Sequence, residues 1–422
     1  MPSVGVSYRP RIADGELRRR LAAMGAVVIE GPKACGKTAT ARQRAASEVL
    51  LDLDDAARAA AAVDPGLILE GARPRLIDEW HLEPAIWNHV RRLADDSQEV
   101  GQFILTGSAV PADDETRHTG AGRIARLQMR PMSLFESGHS TGDISLEALL
   151  NGEQARSGDT GATVESLTDR ICVGGWPAFQ HLSVNQALVA VSAYLDEIRR
   201  TDVSRLDNTR RDPERVARLL RSLARNVGTA ASVRKLASDT GDEDGPLTRE
   251  TVYEYLNALE RLMIIEDQPA WAPHLRSRSQ ARTSATRHFI DPSLAVAALG
   301  ASPKRLLNDL NYLGLLFESL VIRDLRIYSQ PLEGRVLHYR DNLDLEVDAI
   351  VEARDGRWAA FEVKLGGEEP IEAGAASLAK FVERVDTKKI GPPACLGVIV
   401  ATGYGYLRPD GISVIPIAAL KG

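Results

Sequence analysis

The sequence is poor in cysteine. Its three thiols, Cys35, Cys172 and Cys395, lie far apart, and none belongs to a Cys-x-x-Cys pair. That spacing excludes a cysteine-rich zinc site and a disulfide framework, and it suits a reducing cytoplasm. Long apolar runs are also missing. Nothing approaches the roughly 20 residues that cross a bilayer, and the opening "MPSVGVSYRPRIADGELRRR" lacks the apolar core of a secretory signal. No membrane contact is expected. Nor is there a general excess of positive charge: the net charge is −6, so contact with nucleic acid would need a local basic patch.

What remains is the balance of a folded, soluble chain. With 422 residues, 44% apolar and 26% charged, it is too long for one core, and two to four domains are expected. Over the first third, "AVVIE" (26–30), "RLIDE" (75–79) and "QFILTGS" (102–108) read as buried strands of a parallel sheet with crossover helices. Residues 140–163 turn toward Gly, Ser, Thr and acid, the composition of a linker or mobile insertion. From 208 to 292 come three helical patterns and a short hairpin, the order of a winged helix-turn-helix. Beyond 300, a long helical stretch precedes "RVLHYR", "LEVDAIVEA", "RWAAFEVK" and "CLGVIVATG", strand-like runs of a mixed α/β domain.

"GPKACGKT" follows the first strand and opens a helical pattern. It matches G-x-x-x-x-G-K-[ST] through Gly31, Gly36, Lys37 and Thr38. The stretch Gly31, Pro32, Lys33, Ala34, Cys35, Gly36, Lys37, Thr38 and Ala39 is therefore expected to hold ATP. Its backbone N–H groups close around the phosphates, Lys37 reaches the β- and γ-phosphates, and Thr38 offers a hydroxyl to Mg2+. Cys35 reads as a small residue filling a variable loop position. In "RPRLIDEWH", Asp78 is expected to help hold Mg2+ and Glu79 to polarise the attacking water. In "FILTGSA", Thr106 or Ser108 would sense the γ-phosphate. Arg123, in "TGAGRIARL", is a candidate arginine finger, acting in cis or across a homo-oligomer interface.

Taken in order, the P-loop, "LIDEWH", "ILTGSA", "GAGRI", "RPMSLFESG", "GGWPAF" and "YLDEIRRTD" resemble prokaryotic AAA-type ATPases that carry a C-terminal domain of unknown function. The resemblance covers nearly the whole chain. It implies a AAA-type ATPase over 1–140, a helical connector over 141–207, a winged helix over 208–292 and a restriction-endonuclease-like domain over 300–422. It also implies a possible protein partner, since some members resemble the toxic half of toxin–antitoxin pairs. The separate helical lid with its own arginine sensor, found in common AAA proteins, is not evident here.

Two further features bear on the second half. The stretch 274–288 carries Arg276, Arg278, Arg282 and Arg287 and no acid, a wing that could follow a nucleic-acid backbone. The recognition helix before it carries Glu250, Glu254 and Glu260, which would be repelled there, so the module could equally be a hinge. Near the C-terminus, Asp348 and Glu362-Val363-Lys364 form D-x(13)-E-x-K. This pattern resembles the PD-(D/E)XK nuclease core, in which the carboxylates hold Mg2+ and the lysine orients or deprotonates water. Glu318, on the preceding helix, resembles the helical acid that often joins them.

Register decides whether these groups can meet. A two-residue turn at Asp355-Gly356 makes paired residue numbers sum to 711 and turns Asp348 to the wrong face. A three-residue turn or a bulge makes the sum 710 or 712 and brings Asp348 onto the face of Glu362 and Lys364. Two readings of the whole follow: an ATPase coupled to a nuclease-like domain, or a nucleotide-switched binding module with an inactive nuclease fold. A plain P-loop kinase is disfavoured by the second half of the chain.

Overall fold

The structure is a computed structural model that describes residues 8–108, 119–206, 211–241, 245–272 and 285–422. The chain divides into two compact units, the first running to Pro131 and the second holding nearly everything from Met132 onward.

In the first unit, five parallel strands form one sheet: β1 (Ala26–Glu30), β2 (Ser47–Leu50), β3 (Arg75–Asp78), β4 (Phe103–Gly107) and β5 (Ile124–Gln128), in the order β2-β3-β4-β1-β5. Because side chains alternate along a strand, the apolar run of β1 serves two cores. Ala26 and Val28 join Phe103 and Leu105 of β4 beneath Ile86, Trp87 and Val90 of the helix Ala85–Ser97. Val27 and Ile29 face Leu17 and Leu21 of the helix Ile12–Leu21, and Ala41. Burial on both faces explains why β1, β3 and β4 are readable as short apolar runs. β2 and β5 are the edges, where exposed residues interrupt the pattern.

The second unit is built on a six-stranded mixed sheet, ordered β13-β14-β12-β11-β10-β9. Its strands are β9 (Arg335–Arg340), β10 (Glu346–Glu352), β11 (Trp358–Lys364), β12 (Cys395–Val400), β13 (Tyr406–Leu407) and β14 (Ser413–Pro416). β9 to β11 form an antiparallel meander, and β11, β12 and β14 are parallel. The helix Glu368–Arg384 makes the crossover between β11 and β12, packing Ala375, Leu378 and Phe381 on Trp358, Ala360 and Val398. The long helix Leu310–Tyr328 lies against β9, β10 and β11. Ahead of it stand the helices Pro213–Arg225, Val233–Ser238 and Arg249–Arg261 and an antiparallel ribbon of β7 (Ile265–Gln268) and β8 (Thr286–Phe289).

The linker expected at 140–163 is not a linker. Ile144-Ser145, strand β6, pairs in parallel with Leu420-Lys421, strand β15. Ser140 Oγ donates to Leu420 O at 2.6 Å, and the Ser157 and Gly405 backbones exchange hydrogen bonds. Ile144, Leu146, Leu149, Leu150 and Ala155 are buried. The Gly, Ser and Thr residues that suggested a loose chain serve as turns and helix caps, such as Ser145 for Leu146–Leu150. A few apolar residues between them dock the segment.

One ion-pair network fixes much of this unit. Arg323 is buried between Asp291 and Asp324, at 2.7 Å from each carboxylate. The carboxylates have further donors. Asp291 Oδ2, which faces Arg323, also accepts the Gly175 N–H at 2.9 Å, and Oδ1 accepts the Ser293 N–H at 3.0 Å; Asp324 Oδ2 accepts the Leu134 N–H at 2.9 Å and the Tyr328 hydroxyl at 3.2 Å. Removing the guanidinium strands two buried carboxylates. Arg323→Met is therefore expected to cost about 3–5 kcal/mol, read as a drop in the urea midpoint; a loss below about 1 kcal/mol would mean the network is dispensable.

Candidate functional site

The P-loop begins where β1 ends. A Cβ on Gly31 would lie 2.3 Å from Met129 O, so a side chain cannot be accommodated there. Ala34 and Gly36 take left-handed φ values of 61° and 105° before the helix Lys37–Arg42 starts. Lys37 Nζ donates to Gly31 O at 3.0 Å and Pro32 O at 2.9 Å, which folds the ammonium over the loop's own carbonyls. Lys33, Ala34 and Ala39 are exposed along the loop. Cys35 is fully buried in the core that contains Val27 and Leu127. Sequence reading missed Arg11. Its Nη1 donates to Cys35 O at 2.9 Å and its Nη2 to Arg130 O at 2.8 Å, tying the loop to the chain beyond β5. No motif marks this arginine.

β4 stands between β1 and β3, so its carboxyl end comes between the P-loop and the acids. The Thr38 hydroxyl donates to Asp78 Oδ1 at 2.8 Å, and Thr106 donates to the same oxygen. Burial pushes the Asp78 carboxyl above its ordinary range, while the two hydroxyls partly offset that. Glu79 follows in a left-handed conformation (φ 53°), which turns it away from Asp78. Ser108 Oγ donates to Glu79 Oε2 at 3.3 Å, and His81 Nδ1 lies 3.1 Å from that oxygen. Burial raises the Glu79 carboxyl, but His81 and the charge of Lys37 outweigh it, and the group lies below its usual range. Of the two sensor candidates, Thr106 locks Asp78 and Ser108 contacts Glu79.

Arg123 does not join them within its own chain. β1 and β5 are parallel, with Ala26 opposite Ile124 and Glu30 opposite Gln128, which puts Arg123 at the sheet edge away from the P-loop. There it pairs with Asp95. An arginine finger in cis is thus ruled out by register. Thr38 and Asp78 supply hard oxygen donors on adjacent side chains, a set that fits Mg2+ alongside nucleotide phosphates.

The second cluster depends on the turn between β10 and β11. The Ala353 N–H donates to Arg357 O and the Gly356 N–H to Ala353 O, with Gly356 at φ 90°, closing a three-residue turn. Paired numbers sum to 710: Ala349 faces Phe361 and Ile350 faces Ala360. Asp348 is thereby brought to Glu362 and Lys364. Lys364 Nζ lies 2.7 Å from Glu362 Oε2 and 3.6 Å from Asp348 Oδ2. Asp348 Oδ2 also accepts the Val363 N–H at 2.7 Å, and Glu362 Oε1 accepts from Ser377 Oγ at 3.0 Å. Glu318 and Asp348 line one cleft of about 240 Å³ together with Gly228, Thr229 and Glu346.

These are strongly perturbed groups. Burial, then Asp348, pushes the Glu362 carboxyl up to about 7. Burial and Asp348 likewise raise Glu318 well above its ordinary range. Burial would lower the Lys364 amine, yet the charges of Asp348 and Glu362 raise it. Among the described residues, no group of three or more His, Cys, Asp or Glu stands ready to hold a metal ion. The Mg2+ set expected from Glu318, Asp348 and Glu362 is therefore not formed. Lys364 is the cation between two of these acids; Asp348 Oδ2, which faces it, also holds the Val363 N–H, and the other Glu362 oxygen is turned to Ser377.

Of the basic stretch 274–288, Arg276, Arg278 and Arg282 lie outside the described residues. Arg287 faces Asp267 across the ribbon, its Nε 2.9 Å from Oδ1, so its charge is already matched.

The parallel sheet, the P-loop and the acids at the ends of adjacent strands define the first unit as a P-loop ATPase type of domain. Residues 24–137 match the family model of an AAA domain, while 164–305 and 313–420 match two domains of unknown function (DUF8612 and DUF4143). Uncharacterized proteins of Mycobacterium tuberculosis and Mycobacterium bovis are each 25% identical over 360 residues, covering 84% of this chain and 73% of theirs. Among solved structures, a Walker-type ATPase of Pyrococcus abyssi is 12% identical with a TM-score of 0.43, over 68% of this chain and 94% of that one. A signal transduction ATPase with a tetratricopeptide repeat sensor from Pyrococcus horikoshii is 14% identical with a TM-score of 0.25, over 78% and 51%. Among the described residues, no helix is long and apolar enough to cross a membrane.

The raised Glu362 carboxyl has a consequence for stability. The folded protein keeps its proton up to about pH 7, whereas an unfolded Glu loses it near 4.3. Between those values the folded state binds more protons, so stability falls as pH rises through the window and is level above it. The thermal midpoint is expected to decline from about pH 5 to 7. Glu362→Gln should remove part of that decline, with Glu318 supplying the rest; a variant that declines as steeply as the wild type would contradict this.

Proposed function

We propose that this protein binds and hydrolyses ATP at the carboxyl ends of β1, β3 and β4, and couples nucleotide state to a nuclease-like acid–lysine site in the second unit. The observation that carries the first half is the Thr38–Asp78 hydrogen bond at the mouth of the P-loop, with an ionised Glu79 beside it. Lys37 is the positive charge that would turn from the loop carbonyls to the phosphates, and the backbone N–H groups of 33–38 would enclose them. Mg2+, held by Thr38 and Asp78, would supply charge neutralisation on the β- and γ-phosphates. Glu79 orients water and takes its proton, steadied by Ser108 and His81.

For the second unit, Asp348, Glu362 and Lys364 supply the residue types of a nuclease core, and the three helices with their ribbon supply the order of a winged helix that would contact nucleic-acid phosphates. One observation favours a second reading, binding without cutting: Lys364 already sits between the two acids. A nicking assay with divalent ions, with and without ATP, separates the two. Cutting that is lost in Glu362→Gln supports the nuclease; binding without cutting in the wild type supports the module.

The ATP site has its own test. Lys37→Ala is expected to abolish nucleotide binding. Glu79→Gln should bind ATP normally and hydrolyse it ~10²–10⁴-fold more slowly, because only the proton acceptor is lost. Unchanged nucleotide affinity in Lys37→Ala would overturn the assignment.

A further inference from the structure

Asp348, brought to Lys364 by the turn between β10 and β11, sits on an irregularity in the pairing of its own strand with β9. β9 and β10 pair Val347 with Tyr339 and Ile350 with Leu337, so two residues of β10, Asp348 and Ala349, stand opposite His338 alone. A bulge of this kind interrupts the ladder and leaves backbone groups in need of other partners. The partner here comes from a different module. Gln268, the last residue of β7 in the ribbon, is fully buried, and its carboxamide donates to Asp348 O at 2.8 Å and to Leu337 O at 3.0 Å.

The carboxamide is itself oriented. Gln268 Oε1 lies 3.0 Å from His288 Nε2, and His288 Nδ1 lies 2.8 Å from Ser319 Oγ. His288 is buried, and desolvation holds its imidazole down to about 3, so the ring is neutral and carries one proton. With both Gln268 N–H groups directed at carbonyls, Oε1 must accept. The ring proton is therefore on Nε2, and Ser319 donates to Nδ1. The chain of bonds has one direction: Ser319 to His288 to Gln268 to the bulge. Ser319 is the neighbour of Glu318, so the relay joins the backbones that bear two acids of the cluster.

We propose that Gln268 is a positioning residue for Asp348: by holding the bulge at Asp348 O and Leu337 O, it fixes the carboxylate against the Val363 N–H and Lys364. The proposal rests on reading Asp348, Glu362 and Lys364 as the functional cluster. It makes the ribbon part of that site's scaffold. An occupant that shifts β7 against β9 would release Asp348 without touching it.

The test is spectroscopic and uses the full chain labelled with 15N-valine. A short hydrogen bond to a carboxylate moves the Val363 amide proton downfield and slows its exchange. The resonance is identified by its loss in Val363→Ile. In Gln268→Met, the downfield shift should vanish and exchange quicken at least about tenfold, as for a lost charge-assisted bond, matching Asp348→Ala. The amides of Val351 and Val398 in the same sheet should keep their wild-type behaviour, which a general loosening would not allow. If Gln268→Met does not fold, Gln268→Asn, which draws both donors back by one carbon, is read in the same way. A Val363 amide unchanged in the Gln268 variant but altered in Asp348→Ala overturns the proposal, and so does one unchanged in both. None of these readings depends on cleavage, so a failure of the nuclease assignment is seen separately in the nicking assay.

Discussion

A guanidinium shielded from water holds the second unit together. Arg323 has five N–H donors in a planar fork, and the two carboxylates that flank it are fully buried. The same two carboxylates accept the backbone N–H groups of Leu134 and Gly175. Both segments arrive from distant parts of the sequence, about 190 and 116 positions away from the acids that receive them. This accounts for "GGWPAF". Trp176 is buried with its indole N–H on Ser293 Oγ at 3.0 Å, and a Cβ on Gly175 would lie 2.1 Å from Met132 O. The motif is a docking surface for the chain itself.

The same physics, with different stoichiometry, produces the acid–lysine cluster. At Arg323 two carboxylates share one guanidinium and several further donors, which is the condition under which a buried ion pair is tolerated. Near Lys364 three carboxylates share one ammonium that has only three donors. The deficit is visible in the raised Glu318 and Glu362 carboxyls. A balanced network fixes a fold, whereas an unbalanced one is poised to exchange a proton or accept another cation. Perturbation by burial plus specific partners, at the rim of a cleft, marks functional sites more often than structural ones.

Local patterns carried the parts of this structure that local patterns can carry. β1, β3, β4 and the P-loop were legible because burial on both faces leaves uninterrupted apolar runs, and because the phosphate loop needs glycine at fixed offsets. The meeting of Asp348 with Glu362 was legible as arithmetic, conditional on one turn, and Gly356 supplies that turn. What was not legible lies in long-range satisfaction of polar groups. Arg11 on Cys35 O, and Gln268 on Asp348 O, answer backbone groups that have no signature in sequence. The segment 140–163 misled for a related reason: its polar residues are caps and turns, while its docking relies on five scattered apolar side chains. β5 was missed because an edge strand alternates: Arg126 and Gln128 interrupt its apolar residues.

Asp78 and Glu79 show how one peptide bond can separate two chemical roles. Adjacent carboxylates on a regular strand would point to opposite faces, but both are needed at the carboxyl end of the sheet. The left-handed turn at Glu79 solves this at a cost of about 1–3 kcal/mol in backbone strain. It directs Asp78 into a pair of hydroxyls, Thr38 and Thr106, and Glu79 toward Ser108 and His81. Hydroxyls can turn to accept or donate, so Asp78 can exchange the Thr38 proton for a cation without losing Thr106. Glu79 faces a cationic surround instead, which keeps it ionised and able to accept a proton. Strain at this one residue is thus what gives two neighbouring acids different partners, as the proposed roles of ligand and base require.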